Sequence, residues 1–403
     1  MDEKTTGNLG IIGLNSLQVA ESAQRAGFNV FLVDYYRDSD IEIKNHFPMQ
    51  KYSNPNLSEE YSAEKLVNFA IEKLDGMVDK VILTSAVGCN PEIIKKIENR
   101  FHIIGNNSRN VRGARDWRKL KKIAEDLDVN FPRTYTVNSK TRLEKLLRIF
   151  EFPVILKPIF EAGDFEINFD DINKINNNIV LKSEEDLDKI KEIKGEILLQ
   201  EFIDGIPISC SILSTGYEST ALTVNRQLMG EDGLYAKGYC GNIVPFKTKE
   251  EDKIKRISEN VILSLNLMGS NGIDFILRNN ELYILEINTR LQDTLWGIEK
   301  RLGINLVKEH INAVDGKIDF DTDESNLIYG KGILFANKLL VIKKKINLSG
   351  IRNIPEKGSI IQKNEPICSI YSYGEGETDI LNRIYRTANT IKTLYTTPYS
   401  NMS

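Results

Sequence analysis

Two carboxylates and an amide stand where a hairpin would bring them together. The run Ile273-Asp274-Phe275 precedes Leu285-Glu286-Ile287-Asn288-Thr289-Arg290-Leu291-Gln292, with the turn-forming pair Asn279-Asn280 between them. Strand residues two apart share a face, so Glu286 and Asn288 point the same way. An antiparallel register can set Asp274 beside Glu286. Adjacent carboxylates repel unless a cation lies between them, and oxygen ligands of this kind suit Mg²⁺, with Mn²⁺ a possible substitute. An exposed strand face carrying ordinary polar residues explains the same spacing equally well.

Two further features could serve a phosphate-bearing ligand. Phe152-Pro153-Val154-Ile155-Leu156-Lys157-Pro158 ends an apolar strand on a lysine, which can hold an ammonium over a phosphate. A strand-end lysine in solvent is the commoner meaning of such a pattern. Ile197-Leu198-Leu199-Gln200-Glu201-Phe202-Ile203-Asp204-Gly205 turns polar for two residues and then breaks. Its backbone could face a purine edge; taken alone it reads more simply as the end of a strand.

The elements that must position these residues are legible in outline. Residues 9–12, 29–33, 81–84 and 101–104 read as strands alternating with helices at 17–26 and 92–100, which predicts a parallel sheet covered on both faces over the first hundred residues. Residues 48–60 read as a loop. A charged helix is expected over 115–128, strands at 134–137 and 154–157 around a helix at 140–149, and a surface excursion at 170–178. Strands at 208–214, 219–225, 272–277 and 282–287, with turns at 231–233 and 278–280, suggest an antiparallel meander. The stretches 332–341 and 358–373 are β-rich, and a last helix falls near 379–393.

Composition removes several classes of function. Lys and Arg number 53 against 57 Asp and Glu, a formal net charge of −4, which gives no general reason to hold nucleic acid or an anionic membrane. No apolar run approaches the roughly 20 residues that cross a bilayer, and the polar start Met1-Asp2-Glu3-Lys4 is not a signal peptide; a cytoplasmic location is expected. Cys89, Cys210, Cys240 and Cys368 form no C-x-x-C pair, and His46, His102 and His310 lie in separate segments, so a zinc site or a His-centred triad is not expected.

Taken together and in order, the lysine strand, the polar-ended strand and the Asp…Glu-x-Asn pair resemble the ATP-grasp superfamily. The string Glu286-Ile287-Asn288-Thr289-Arg290-Leu291-Gln292 is similar to the E-x-N-x-R-x-Q run of biotin carboxylase. Gly13-Leu14-Asn15, Ala20-Glu21-Ser22-Ala23, Gly27 and Val33-Asp34-Tyr35 look like the predicted ATP-dependent carboligase group of that branch, and Gly358, Pro366-Ile367-Cys368 and Gly374 echo its β-rich tail. The resemblance implies a mixed α/β and α+β chain. Its parts would be an N-terminal Rossmann-like domain (1–112), a small lid subdomain with a linking helix (113–200), a large subdomain with the metal site (201–330) and a β-rich extension completing it (331–403). It also implies roles. Lys157 would bind the α- and β-phosphates, with Lys119 as the earlier phosphate lysine and Arg118 competing for that place. Gln200, Glu201, Phe202, Ile203 and Asp204 would form the adenine hinge. Asp274, Glu286 and Asn288 would hold Mg²⁺, and Arg290 would steady charge developing on a phosphorylated intermediate. Asn15, Arg226, Lys237 and Gln292 are the candidate substrate contacts, alongside Asn242 and the loops 13–16 and 85–90.

Three positions depart from the family pattern. The lid loop Phe160-Glu161-Ala162-Gly163-Asp164-Phe165 has one glycine and two acids, Pro207 stands where a ribose acid belongs, with Asp204 as a substitute, and Thr294 replaces the glutamate base for bicarbonate. Asp293 is expected to face away, by strand alternation. The expected activity is an ATP- and Mg²⁺-dependent ligase joining a small carboxylate to an amine, with a homodimer plausible. A bicarbonate-using carboxylase and a nucleotide-binding protein without catalysis are the alternatives. A dehydrogenase using Asp34 as a ribose acid ranks lower, because the turn after the first strand lacks the G-x-G-x-x-G spacing.

Overall fold

The computed structural model describes residues 7–49, 62–159, 166–169, 174–175, 178–236 and 238–399. The expected loop at 48–60, the lid loop 160–165 and Lys237 lie wholly or mostly outside them. Four sheets of three or more strands and one two-stranded ribbon, with their helices, make up the described chain.

The first sheet is parallel, in the order Asn45–Pro48, Asn29–Asp34, Asn8–Gly13, Lys80–Leu83, His102–Ile103. Leu9 and Ile11 face one core and Ile12 faces another, so the central strand is apolar on both sides, as a covered parallel sheet requires. Helix Pro91–Glu98 starts where Asn90 accepts the N–H groups of Glu92 and Ile93 and Pro91 fills the first helical position.

The helix expected over 115–128 is present as Trp117–Asp126, and a separate, unanticipated helix, Ser108–Arg115, comes directly before it. Asp116 leaves helical geometry (φ −74°, ψ 98°) and caps the second helix by accepting from Arg118 and Lys119 N–H. The bend leaves Arg115 at an elbow.

Beyond it, Thr134–Val137, Ile197–Glu201, Val154–Pro158, Asn178–Leu181 and Lys174–Ile175 form an antiparallel sheet in that order, and Glu166–Phe169 pairs with Ile190–Lys194. The expected surface excursion at 170–178 thus includes paired strand residues.

The third sheet has eight strands, in the order Glu281–Asn288, Met268–Arg278, Ile206–Thr215, Ser219–Met229, Tyr239–Val244, Ile328–Phe335, Pro366–Gly374, Ile351–Arg352. Its pairs are antiparallel. It is not a simple meander, because Ile206–Thr215 lies between Ser219–Met229 and Met268–Arg278. One face packs on helix Glu251–Ser264, whose Ile254, Ile257, Val261 and Ile262 recur at helical spacing. The other face meets helices Leu295–Leu302 and Leu306–Val314, and through them the first helix, Leu17–Arg25. The last helix, Glu377–Tyr395, covers the far strands. A small sheet of Ile360–Ile361, Leu340–Ile342 and Thr396–Pro398 completes the described chain.

Candidate active site

The hairpin between Met268–Arg278 and Glu281–Asn288 closes through Asn279 (φ 50°) and Asn280 (φ 67°), a left-handed pair that fits the twist of an antiparallel ribbon. Its register sets Asp274 opposite Glu286 and Gly272 opposite Asn288, with an irregularity between Asp274 and Phe275. Asp274 Oδ1 accepts from Gln227 Nε2 at 3.0 Å and Oδ2 accepts from Asn288 Nδ2 at 3.0 Å. Burial and then the facing Glu286 lift the Asp274 carboxyl from the ordinary 3.8 to about 7, against the pull of Gln227, Asn288 and Arg290. A carboxylate held facing another carries a cost that a divalent cation would remove. Among the described residues no group of three or more His, Cys, Asp and Glu gathers around a metal position. Any ion here would therefore use two carboxylates, the Asn288 amide oxygen and ligand oxygens, a hard donor set that fits Mg²⁺.

Cations surround this pair. Lys157 is half-buried rather than free in solvent. Burial pulls its ammonium down from the usual lysine range, Glu286 and Asp274 pull it back up, and Arg115 opposes them. Arg115 was not anticipated as a site residue. Its Nη1 lies 3.9 Å from Glu286 Oε2, and its Nε donates to Cys89 O at 3.3 Å. The signal that could have found it is Asp116, an N-cap residue that breaks the charged run into two helices. Lys119 is exposed, with its ammonium folded towards Gly113. Arg118 donates to Thr136 Oγ1 at 3.1 Å and stacks over Trp117. Arg290 is held between domains: Thr289 Oγ1 donates to Gly88 O at 3.1 Å, and a side chain at Gly88 would meet Arg290 Cβ at 3.2 Å.

The strand expected to reach Ile203 ends at Glu201. Gln200 is buried and donates to Thr134 Oγ1 at 2.9 Å, while Glu201 accepts from Arg133 N at 3.2 Å. Both side chains are thus occupied by the neighbouring strand and its lead-in. Phe202 and Asp204 are exposed and Ile203 is buried. Gly205 lets this segment cross strand Met268–Arg278, since a Cβ there would lie 2.5 Å from Ile276 Cγ2 and 2.8 Å from Leu277 O.

The candidate substrate residues do not gather at one place. Asn15 accepts from Asn353 Nδ2 at 3.0 Å, and Arg226 pairs with Glu377 on the last helix. Gln292 donates to Arg290 O. Asp34 is buried and accepts from Ser16 N (3.1 Å) and Tyr36 N (3.3 Å), so its carboxylate ties down its own loops. Thr294 shares a hydrogen bond with Ser211 Oγ at 3.1 Å, and Pro207 is a strand residue opposite Ile276. Asp293 corrects the expectation from strand alternation. The strand stops at Asn288, so alternation no longer applies, and the carboxylate meets Lys331, Tyr239 and Gln18.

Known proteins share this architecture. The ATP-grasp domain family matches residues 114–294. An uncharacterized protein of Methanocaldococcus jannaschii is 31% identical over 378 residues, 93% of this chain and 90% of the relative. The carbamoyl phosphate synthase large chain of Saccharolobus solfataricus is 24% identical over 56% of this chain, a match spanning 21% of that protein. The biotin carboxylase domain of Hydrogenobacter thermophilus 2-oxoglutarate carboxylase, solved with MgADP, ADP and bicarbonate, superposes with TM-score 0.71 at 15% identity, covering 96% of this chain and 90% of that one. N5-carboxyaminoimidazole ribonucleotide synthetase from Thermotoga maritima gives 0.67 at 18% identity, covering 95% and 98%. Residues 114–294 thus carry an ATP-grasp domain, and the chain shares the fold of biotin carboxylase. No helix among the described residues is long and apolar enough to cross a membrane.

Proposed function

We propose that the protein is an ATP-dependent ligase that activates a small carboxylate as its acyl phosphate and joins it to an amine. The observation that carries this reading is the Asp274–Glu286 pair, facing across one ladder with Asn288 on the same face and with Lys157 and Arg290 within electrostatic reach. ATP-grasp membership and the carbamoyl phosphate synthase and biotin carboxylase relatives support it.

Asp274, Glu286 and the Asn288 amide oxygen would hold Mg²⁺, which when bound offsets the charge of phosphate oxygens. Lys157 would orient the α- and β-phosphates, and the backbone of 201–203 would face the purine. Arg290 would meet negative charge building on the transferred phosphoryl group, so this chain's share is positioning and charge neutralisation. A substrate carboxylate oxygen attacks the γ-phosphorus and ADP leaves. The amine lone pair then attacks the acyl carbon, the carbon–oxygen bond to phosphate breaks, and inorganic phosphate and a proton depart.

A bicarbonate carboxylase is less well supported, because Thr294 offers no carboxylate where that chemistry needs a base and its hydroxyl is engaged by Ser211. An ADP-release screen over paired acids and amines tests the proposal. Activity should require Mg²⁺ and vanish in Glu286→Gln with the circular dichroism spectrum intact. Undiminished ADP release by that variant would falsify the metal assignment.

A further inference from the structure

Past Arg290 the chain turns and carries Asp293 into the seam between the first helix and the large sheet. Asp293 Oδ1 accepts from Lys331 Nζ and from Gln18 Nε2 (3.4 Å), and Oδ2 accepts from the Tyr239 hydroxyl (3.0 Å). The Tyr239 oxygen in turn accepts from Asn242 Nδ2 at 2.8 Å. Lys331 is 2% exposed. Its ammonium lies 5.6 Å from the centre of the Tyr371 ring, which meets Trp296 edge-on at 4.7 Å.

Three solvent-shielded polar atoms here have no hydrogen-bond partner among the described residues: Gln18 Oε1, Gln292 Oε1 and the Tyr371 hydroxyl. The amide orientations follow from chemistry. Gln18 turns its NH₂ to the Asp293 carboxylate and Gln292 turns its NH₂ to the Arg290 carbonyl, both pure acceptors, so the two oxygens are what is left over. Each such buried atom costs about 1–3 kcal/mol. Internal packing gives no reason to leave all three unpaired, with Gln18 bonded to the Asp293 carboxylate, Gln292 next to Asp293 in sequence and the Tyr371 ring under the Lys331 that pairs with Asp293.

We propose that Gln18, Gln292, Asp293 and Tyr371 line the seat of the nucleophile's amino group, and that the nucleophile is a primary amine. This rests on the ligase reading above and deepens it by giving the second substrate a chemical class and a place. The leftover atoms select a donor. Two amide oxygens can only accept, and a neutral phenol can accept as well as donate. A ligand N–H satisfies them, whereas a carboxylate would face lone pairs.

The charges agree. Lys331 offsets Asp293, and Arg352 lies 3.7 Å from Glu21 one turn along the first helix from Gln18. Walls without net charge hold an amine without locking it as ammonium, and attack needs its lone pair. Because Gln292 is bonded to the Arg290 carbonyl, the seat and the phosphate-side arginine belong to one short segment.

The full-length protein tests this by two measurements: calorimetric titration with MgADP, and saturation-transfer NMR with methylammonium and with acetate as probes. Wild type should bind MgADP and show transfer from methylammonium that acetate does not displace. Gln18→Ala and Tyr371→Phe should each weaken methylammonium binding at least fivefold while MgADP affinity stays within twofold. Tyr371→Phe should also melt no lower than wild type, since it removes an unpaired buried hydroxyl, so weaker methylammonium binding in that variant cannot come from a loosened fold. Displacement of methylammonium by acetate, no transfer from methylammonium, or methylammonium binding unchanged in both variants overturns the amine seat and leaves the ligase reading standing. Failure of wild type to bind MgADP removes the ligase reading, and the seat with it.

Discussion

Asp274 is the residue where fold and chemistry pull apart. Burial first, and then the facing Glu286, raise its carboxyl to about 7, a cost that a bound cation would offset. Asp274→Asn should therefore raise the melting temperature of the metal-free protein by about 1–3 °C while lowering MgADP affinity at least tenfold; calorimetry and thermal melts read the two effects separately. A gain in stability with a loss of binding is the mark of a site rather than a packing residue. Lys157→Ala should weaken MgADP binding about tenfold, equivalent to roughly 1.4 kcal/mol, and leave the melt close to wild type. An unaltered dissociation constant would mean that the lysine faces the carboxylates without touching nucleotide.

At the scale of elements, the positioning depends on two strands passing closely at Gly205. Gly205→Val would drive a side chain into Ile276 and the Leu277 carbonyl. The expected result is a loss of about 1–3 kcal/mol of stability together with weaker nucleotide binding, read by urea denaturation and titration. Unchanged binding would detach the hinge from the nucleotide. The hairpin could be read from the sequence because everything it needs is local: alternating apolar residues, two asparagines for a left-handed turn, and carboxylates placed by a period of two. Strand Tyr239–Val244 and helices Leu295–Leu302 and Leu306–Val314 were not anticipated. They read weakly because their packing partners are far away in sequence: Cys240 and Ile243 of the strand serve one core and its Val244 another, and Leu295 and Ile298 pack in the core that holds Leu9 and Val19. The Asp293 cluster was invisible for a related reason: its partners come from residues 18, 239 and 331, and no spacing rule joins them.

Across the whole molecule, the parallel sheet and the large sheet are fastened by buried polar side chains. Asn106 donates to Asn271 Oδ1 at 2.8 Å and to Thr289 O at 3.2 Å, and accepts from Met268 N at 2.8 Å. His310 accepts from Ser270 N at 2.7 Å through Nδ1, so its Nε2–H donates to Ile104 O at 3.0 Å. Burial lowers the His310 imidazole from 6.5 to about 4. The unfolded chain therefore binds a proton that the folded chain refuses. This contribution to stability is complete above about pH 6.5 and is lost as pH falls towards 4. His310→Gln should flatten the fall in unfolding free energy between pH 7 and pH 5 by about 2 kcal/mol relative to wild type. His46, also lowered to about 4, titrates the same way in both proteins and cancels from that difference. Parallel pH curves for the two proteins would mean that the imidazole does not sense unfolding.

One long-range contact has a bearing on how the chain is made. Asp40 accepts the backbone N–H of Asn353 at 3.0 Å and that of Ile354 at 2.8 Å, and the Asn353 amide reaches Asp38 at 3.1 Å, across separations of 313 to 315 residues. At about 5–20 residues per second, a ribosome needs on the order of 15–60 s after Asp40 emerges before it delivers these partners. During translation the acidic corner of the first sheet waits in water for a segment made 313 residues later, so an edge of the earliest sheet is finished only after most of the large sheet has been synthesised.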